Sequence, residues 1–249
     1  MADLPPHRPG LTAGPPDARR PQGRYCVVIP ALNAAATIGA LVAKVRGCGL
    51  NVVVVDDGST DRTAAVAAAG GALVISHLRN RGKGHALRTG FEYAVRERYD
   101  GVVTLDSDGQ HDPAEIPALI QAGEVQHAAL VLGDRMANGL SMPAARRRTN
   151  QVMSRIISRL AGQPVPDSQC GFRLIRRELL ERLRLRAGRF DIESEVVLSA
   201  AAERWKIVSV PVTGIYRGGP SHIQPVRDGL RFAGLVARFL LRPRRSPRP

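Results

Sequence analysis

Lysine is almost missing from this basic chain: among 36 Lys and Arg residues, only Lys44, Lys83 and Lys206 are lysines. The formal net charge of +14 is therefore carried by arginine, and a field of that sign favours an anionic partner: nucleotide phosphates, an acidic membrane face or nucleic acid. Aromatic residues make up 4% of the chain and do not interleave with the arginines, which argues against a stacking platform for nucleic acid. No stretch approaches eighteen consecutive apolar residues, so no segment is expected to span a bilayer alone. Cys26, Cys48 and Cys170 lie far apart without metal-ligand spacing, and this odd, sparse set reads as a reduced cytoplasmic protein. Cys26 sits in an apolar run and reads as buried filler rather than a nucleophile. Neither G-x-G-x-x-G after the first apolar run nor G-x-x-x-x-G-K-[ST] anywhere is present, so a dinucleotide fold and a P-loop are disfavoured. Residues 1–23 are rich in proline and lack an apolar h-region; they read as a disordered leader, not a secretory signal.

What is present is an alternation of short apolar runs with helical patterns. Tyr25 to Pro30, Asn51 to Val55, Leu73 to Ile75 and Gly101 to Leu105 read as buried strands. Between them, Ala34 to Arg46, an Ala-rich stretch capped by Ser59 or Thr60, and Gly84 to Arg98 read as helices. Such an order predicts an α/β domain with a Rossmann-like, mostly parallel sheet and right-handed crossovers. Further on, Ala129 to Leu132 reads as a strand, Pro143 to Leu160 as a basic helix, and Asp167 to Phe172 as a glycine-containing loop. Arg176 to Arg184 and Ile192 to Arg204 read as helices, and Lys206 to Val212 as a strand. The 249 residues suit one domain, placed at 24–225, with residues 226–249 as a basic amphipathic helix and tail.

Ligands of parallel sheets sit at the carboxyl ends of the strands, and here those ends are acidic. The second strand runs into Asp56-Asp57-Gly58-Ser59-Thr60-Asp61, the fourth into Asp106-Ser107-Asp108. Along extended backbone, residues i and i+2 face the same way. Asp106 and Asp108 can therefore address one divalent cation, joined by Gln110 if the chain stays extended. Hard carboxylate ligands suit Mg²⁺ or Mn²⁺, which keep open positions for phosphate oxygens.

Four stretches carry a resemblance: Val28-Ile-Pro-Ala-Leu-Asn33, Val55-Asp-Asp-Gly-Ser-Thr-Asp61, Asn80-Arg-Gly-Lys-Gly-His-Ala86 and Leu105-Asp-Ser-Asp-Gly-Gln-His111. Gly133-Asp-Arg135, Gln169-Cys-Gly-Phe-Arg173 and Ser221-His-Ile223 follow in order. The chain resembles a family 2 glycosyltransferase of GT-A fold, nearest to the dolichol- or polyprenyl-phosphate sugar transferases, from about residue 25 to 232. The resemblance implies that Pro30, Leu32 and Ala34 line the pocket for the nucleotide base, with Val55 and Asp57 beside base and ribose. Asp106, Asp108 and Gln110 would hold the metal, with Ser107 beside the donor. Lys83, Arg135, Arg217 and His222 would meet phosphate charge, and the segment from Arg217 to His222 would form a lid. Two positions depart from the family pattern: Ala34 stands where glutamate is usual, and His222 where lysine often follows the lid serine.

The implied reaction is inverting, metal-dependent transfer of a sugar from a nucleotide-diphosphate donor, UDP- or GDP-linked, to an acceptor. A lipid phosphate acceptor is favoured, and it needs no general base because its oxygen is already ionised. Arg146-Arg147-Arg148 and Arg173 are candidates to hold that anion, against a simple solvated helix face for the triplet. For an alcohol acceptor, Asp167 is the candidate base. The stretch from Val226 to Leu241 sets Arg227, Arg231, Arg238 and Arg242 opposite Phe232, Leu235, Val236, Phe239 and Leu240. It reads as a helix lying on an acidic membrane surface or packed on the domain. A soluble small-molecule acceptor is the main alternative. A sugar-nucleotide pyrophosphorylase and a nucleic-acid-binding module stand further off.

Overall fold

The computed structural model describes residues 24–137, 142–189, 191–215 and 225–241, with backbone alone for 225–228. The proline-rich leader 1–23 and the tail 242–249 lie outside the described residues. In chain order the elements are β1 (Tyr25–Ala31), α1 (Ala35–Gly47), β2 (Asn51–Asp56), α2 (Thr63–Ala69), β3 (Leu73–Ser76), α3 (Lys83–Arg96) and β4 (Gly101–Thr104). A 3-10 turn (Pro113–Glu115) leads into α4 (Ile116–Val125), β5 (Leu130–Asp134), α5 (Ala144–Ala161), β6 (Arg173–Arg176) and α6 (Arg177–Leu180). The chain continues through α7 (Ile192–Ala202), β7 (Ile207–Pro211) and α8 (Pro225–Leu240).

The strands form one seven-stranded sheet in the order β3-β2-β1-β4-β6-β5-β7. Both faces are covered, which is why β1 and β2 are continuous apolar runs rather than alternating ones. Side-chain alternation still sorts them. Cys26, Val28, Val53 and Val55 enter one core layer with Leu87 and Phe91 of α3. Val27, Ile29, Val52 and Val54 enter the other, with Ile38, Leu41 and Val42 of α1. Gly90 lets α3 lie flat on β1, because a Cβ there would stand 2.3 Å from Val28 Cγ1. Cys26 is fully buried and its thiol is pushed up to about 12 by desolvation, so it is core filler.

Every strand pair is parallel except those made by β6, which runs antiparallel to both β4 and β5. The sequence pattern predicts no strand here, only a loop that ends at Phe172 and a helix that starts at Arg176. With arginine at both ends of a four-residue run, its period-2 pattern is too short to declare itself. The helix expected from Arg176 to Arg184 shrinks accordingly to α6. Ser59 and Thr60 do not cap α2, which starts at Thr63 behind Arg62; both turn instead toward the β1–α1 loop.

The amphipathic segment forms α8, and its apolar face is spent on the domain. Phe232 (8% exposed) and Leu235 (4%) belong to the core layer that contains α7, with Val236 and Phe239 packed against it. Leu230, Leu240 and Leu241 remain exposed. Among the described residues, no helix is long and apolar enough to cross a membrane.

Candidate active site

The carboxyl ends of β1, β2 and β4 lie side by side, and each releases a different part of the site. At the β1–β2 end, two loops are zipped together. Asn33, held at φ 51°, donates its N–H to Ser59 Oγ (2.9 Å), while its side-chain Oδ1 accepts from Thr60 N (2.9 Å). Ser59 is fixed in turn by Asp56, to which both its N–H and its hydroxyl donate. Helix α1 has no acidic residue in its first turn, since Ala34 and Ala35 open it. Its N–H groups are satisfied from the neighbouring loop instead: Thr63 Oγ1 accepts from Ala34 N (2.7 Å) and Asp61 Oδ2 from Ala35 N (3.1 Å). A capping carboxylate thus comes from the β2–α2 loop, 26 residues further along the chain, rather than from the helix itself.

Of the residues assigned to the base pocket, Leu32 stands open at 42% exposure. Pro30 and Val55 are paired neighbours on adjacent strands, and they and Ala34 are buried. Asp57 is also buried, and its oxygens are largely committed. Oδ1 meets His77 Nδ1 (2.7 Å) and accepts from Arg81 N (3.0 Å), and Oδ2 accepts from Gly82 N (2.6 Å). Asp57 therefore braces the Arg81–Gly82 segment that leads into α3. His77, which completes the brace through Thr89 Oγ1 (3.0 Å), carried no motif signal.

At the β4 end, the chain does not stay extended. Ser107 and Asp108 lie in a turn that Gly109 closes at φ 70°, so strand alternation does not carry past Asp106. The turn itself brings the carboxylates together. Asp108 is exposed, and its carboxyl is raised by loss of hydration and by the negative charge of Asp106. Asp108 Oδ1 accepts from Gln110 N (2.9 Å), and Ser107 O accepts from Thr37 Oγ1 of α1 (2.6 Å), which ties the acidic tip to the β1–α1 side. Burial would raise the Asp106 carboxyl, but Lys83 outweighs it and the net shift is downward. Lys83 Nζ stands 2.5 Å from Asp106 Oδ1 and 2.6 Å from Glu193 Oε1. Gln110 O accepts from Ile215 N (2.9 Å), so the chain crosses the tip just before residues 216–224. Arg217 and His222 lie outside the described residues.

Because β6 is reversed, its amino end rather than its carboxyl end reaches this edge, and it delivers the loop 167–172 there. Thr104 Oγ1 donates to Gly171 O (2.6 Å), and a Cβ on Gly171 would fall 2.4 Å from Asp106 Oδ2. In that loop Asp167 is fully buried. It receives Arg135 through Nε (2.7 Å) and Nη2 (3.0 Å), and Asn150 Nδ2 donates to Oδ1 (2.8 Å). Desolvation would raise the Asp167 carboxyl, but the bonds from Arg135 hold it below the ordinary range. A carboxylate so occupied and so acidic is a poor proton acceptor; its geometry is that of an arginine holder. Arg173, by sequence a candidate anion ligand, turns its nitrogens instead to Cys170 O (2.6 Å), Glu193 O (2.5 Å) and Ser168 O (2.7 Å). It staples the loop. Arg146 of α5 is different: its positive charge acts on Asp108, so the start of α5 faces the acidic tip.

His111 is buried against Phe172, and desolvation pushes it down to about 4, so it is neutral at physiological pH. Glu193 was missed. A carboxylate pair, Glu193 and Glu195, opens a helix buried on nearly every side, and that mismatch of charge with apolar surroundings was the available signal. Glu195 Oε2 accepts from Arg186 N and Ala187 N (2.8 and 2.7 Å) and shapes the preceding loop.

Among the described residues, no three His, Cys, Asp or Glu side chains form a complete metal cage. The donor set is a pair of hard carboxylates, one of them already drawing an ammonium and the other left facing outward. Such a set fits an oxygen-seeking divalent cation that completes its shell with diphosphate, as Mg²⁺ and Mn²⁺ do.

The sequence model of glycosyl transferase family 2 matches residues 26–184. A UDP-N-acetylglucosamine–dolichyl-phosphate N-acetylglucosaminyltransferase of Methanococcus voltae is 31% identical, over 76% of this chain and 85% of its own. A polyprenol monophosphomannose synthase of Mycolicibacterium smegmatis is 30% identical over 80% of each. Among solved structures, glucosyl-3-phosphoglycerate synthase from Mycobacterium tuberculosis, crystallised with Mn²⁺, UDP and glucosyl-3-phosphoglycerate, superposes with a TM-score of 0.67 at 25% identity. That superposition covers 94% of this chain and 85% of the synthase.

Proposed function

The chain belongs to glycosyl transferase family 2, and we propose that it moves a sugar from a uridine diphosphate donor to a polyprenyl phosphate. The observation that carries the acceptor reading is the state of Asp167. The loop carboxylate best placed to serve as a base is fully buried and spent on Arg135 and Asn150. An alcohol acceptor needs its proton removed as it attacks; a phosphate acceptor arrives ionised and needs only to be held and aimed. Cations, not a base, are what this side of the cleft offers, in Arg135 and Arg146.

Asp106 and Asp108 would hold the divalent cation, which when bound supplies Lewis-acid stabilisation of the departing diphosphate. Leu32, with Pro30 and Val55, would take the base. Arg135, kept rigid by Asp167, presents a fixed positive charge, and such preorganised charge costs no reorganisation during reaction. Family 2 transferases invert the anomeric centre, so acceptor and leaving group must lie on opposite faces of the sugar. Arg135 and Arg146, whose charges reach Asp106 and Asp108, would hold the acceptor phosphate beside the donor. Contact with an acidic membrane would run through Arg238 and the exposed Leu230, Leu240 and Leu241, because the rest of the apolar face of α8 is packed on α7.

The test is phase partition. Purified enzyme, Mn²⁺, a panel of radiolabelled UDP- and GDP-sugars and a short polyprenyl phosphate should move label into the organic layer with one UDP donor. Label that stays aqueous, and moves only onto an added phosphorylated small acid, would instead support the soluble-acceptor reading. The likeness to glucosyl-3-phosphoglycerate synthase favours that second reading.

A further inference from the structure

Lys83 is held by two carboxylates of unequal surroundings. Asp106 opens toward the cleft, with a side chain 28% exposed, whereas the Glu193 side chain is 5% exposed. The Lys83 ammonium touches one oxygen of each, and Glu193 Oε2, also buried, accepts no hydrogen bond. The backbone on either side of Lys83 is closely packed. Gly82 and Gly84 flank Lys83, and a Cβ on them would meet Gly188 O at 2.4 Å and Ala187 O at 2.3 Å; Gly84 N also donates to Gly188 O (3.0 Å). Glu193 is pinned through its carbonyl by Arg173 Nη1 (2.5 Å). What remains mobile is the lysine side chain, a flexible stem with three rotatable donors. A lysine opening a helix also faces the positive end of the dipole, so it depends on nearby carboxylates.

We propose that Lys83 is the resident counter-cation of Asp106 and that Glu193 is its second seat. A divalent cation arriving at Asp106 shifts the ammonium inward onto both oxygens of Glu193 instead of expelling it to solvent. Expulsion would leave Glu193 buried and uncompensated, which is costly; an inward shift fills its open lone pairs. Glu193 is thus a positioning residue: it keeps a positive charge beside the leaving diphosphate while clearing Asp106 for metal. The inference rests on the reading of Asp106 and Asp108 as the cation site.

The scarcity of lysine makes the test direct. Full-length protein labelled with ¹⁵N-lysine gives Nζ signals from Lys44, Lys83 and Lys206 only, assignable by Lys44→Arg and Lys206→Arg. Metal binding is followed separately, by displacement of Mn²⁺ with Mg²⁺ in electron paramagnetic resonance, with UDP present and absent. Saturating Mg²⁺ should move the Lys83 signal while leaving it protected from solvent exchange. In Glu193→Gln the same addition should broaden that signal away, and Mg²⁺ affinity should fall about tenfold. Glu193→Asp, which keeps the charge but shortens the reach, should fall between the two. A Lys83 signal that stays put at saturation, that broadens equally in the wild type, or that behaves identically in Glu193→Gln overturns the two-seat arrangement. Absence of metal binding under both conditions overturns the cation site itself.

Discussion

Replacing Asp167 by asparagine separates a brace from a base. The change is nearly isosteric, so packing survives while the charge that compensates Arg135 disappears. Arg135 is 7% exposed and bound through Nε and Nη2. Losing one partner of such a buried pair costs about 3–5 kcal/mol, and the new amide must also turn a donor toward Arg135 or Asn150. At roughly 2–4 °C per kcal/mol for a domain of this size, the melting temperature should drop by about 6–20 °C, read by circular dichroism. Acid sensitivity should change in step. The folded-state pKa of Asp167 is depressed, so its stabilisation is present above the unfolded value of about 3.9 and is lost as pH falls below it toward the folded value. Asp167→Asn should lack that part of the acid transition. Activity lost with unchanged melting and a vanished acidic limb in the pH–rate profile would refute the reasoning and restore Asp167 as a base.

Asp108→Ala should reduce turnover at least about a hundredfold while moving stability by less than about 1 kcal/mol, since the side chain is exposed; retained turnover sinks the metal assignment. Chelation should abolish transfer, and Mn²⁺ or Mg²⁺ should restore it, measured as product formed after dialysis. Leu235→Ala should cost about 2–5 kcal/mol because α8 is packed on α7, whereas Leu230→Ser should be nearly neutral in melting yet weaken co-sedimentation with acidic vesicles. Equal vesicle binding by Leu230→Ser and Arg238→Glu would remove the membrane contact.

The β1-to-β4 half was legible because each apolar run is closed by a polar or glycine-containing turn, and the two-sided burial of the sheet made those runs continuous. The acidic strand ends stand out in the sequence for the same reason, but their separate uses do not: Asp56 holds Ser59 and Asp57 braces the Arg81–Gly82 segment, whereas Asp108 is left exposed. Asp167 was not legible, because its sequence neighbourhood looks like an open loop and only the reversed β6 folds that loop inward. Nor was Arg173, whose cationic character suggested an anion but whose three donors close on carbonyls. The helical period of α8 was plain in the sequence, but a period does not name what the apolar face meets.

The reversal of β6 also orders events during synthesis. In the finished sheet β6 lies between β4 and β5, both of which leave the ribosome before it does. Until residues 173–176 emerge, β4 and β5 have no strand between them, and the packing of α4 in the layer of Ile29 and Ile38 is what joins the β5 side to the rest. The unpaired edges of a stalled or truncated copy are where it would stick to others.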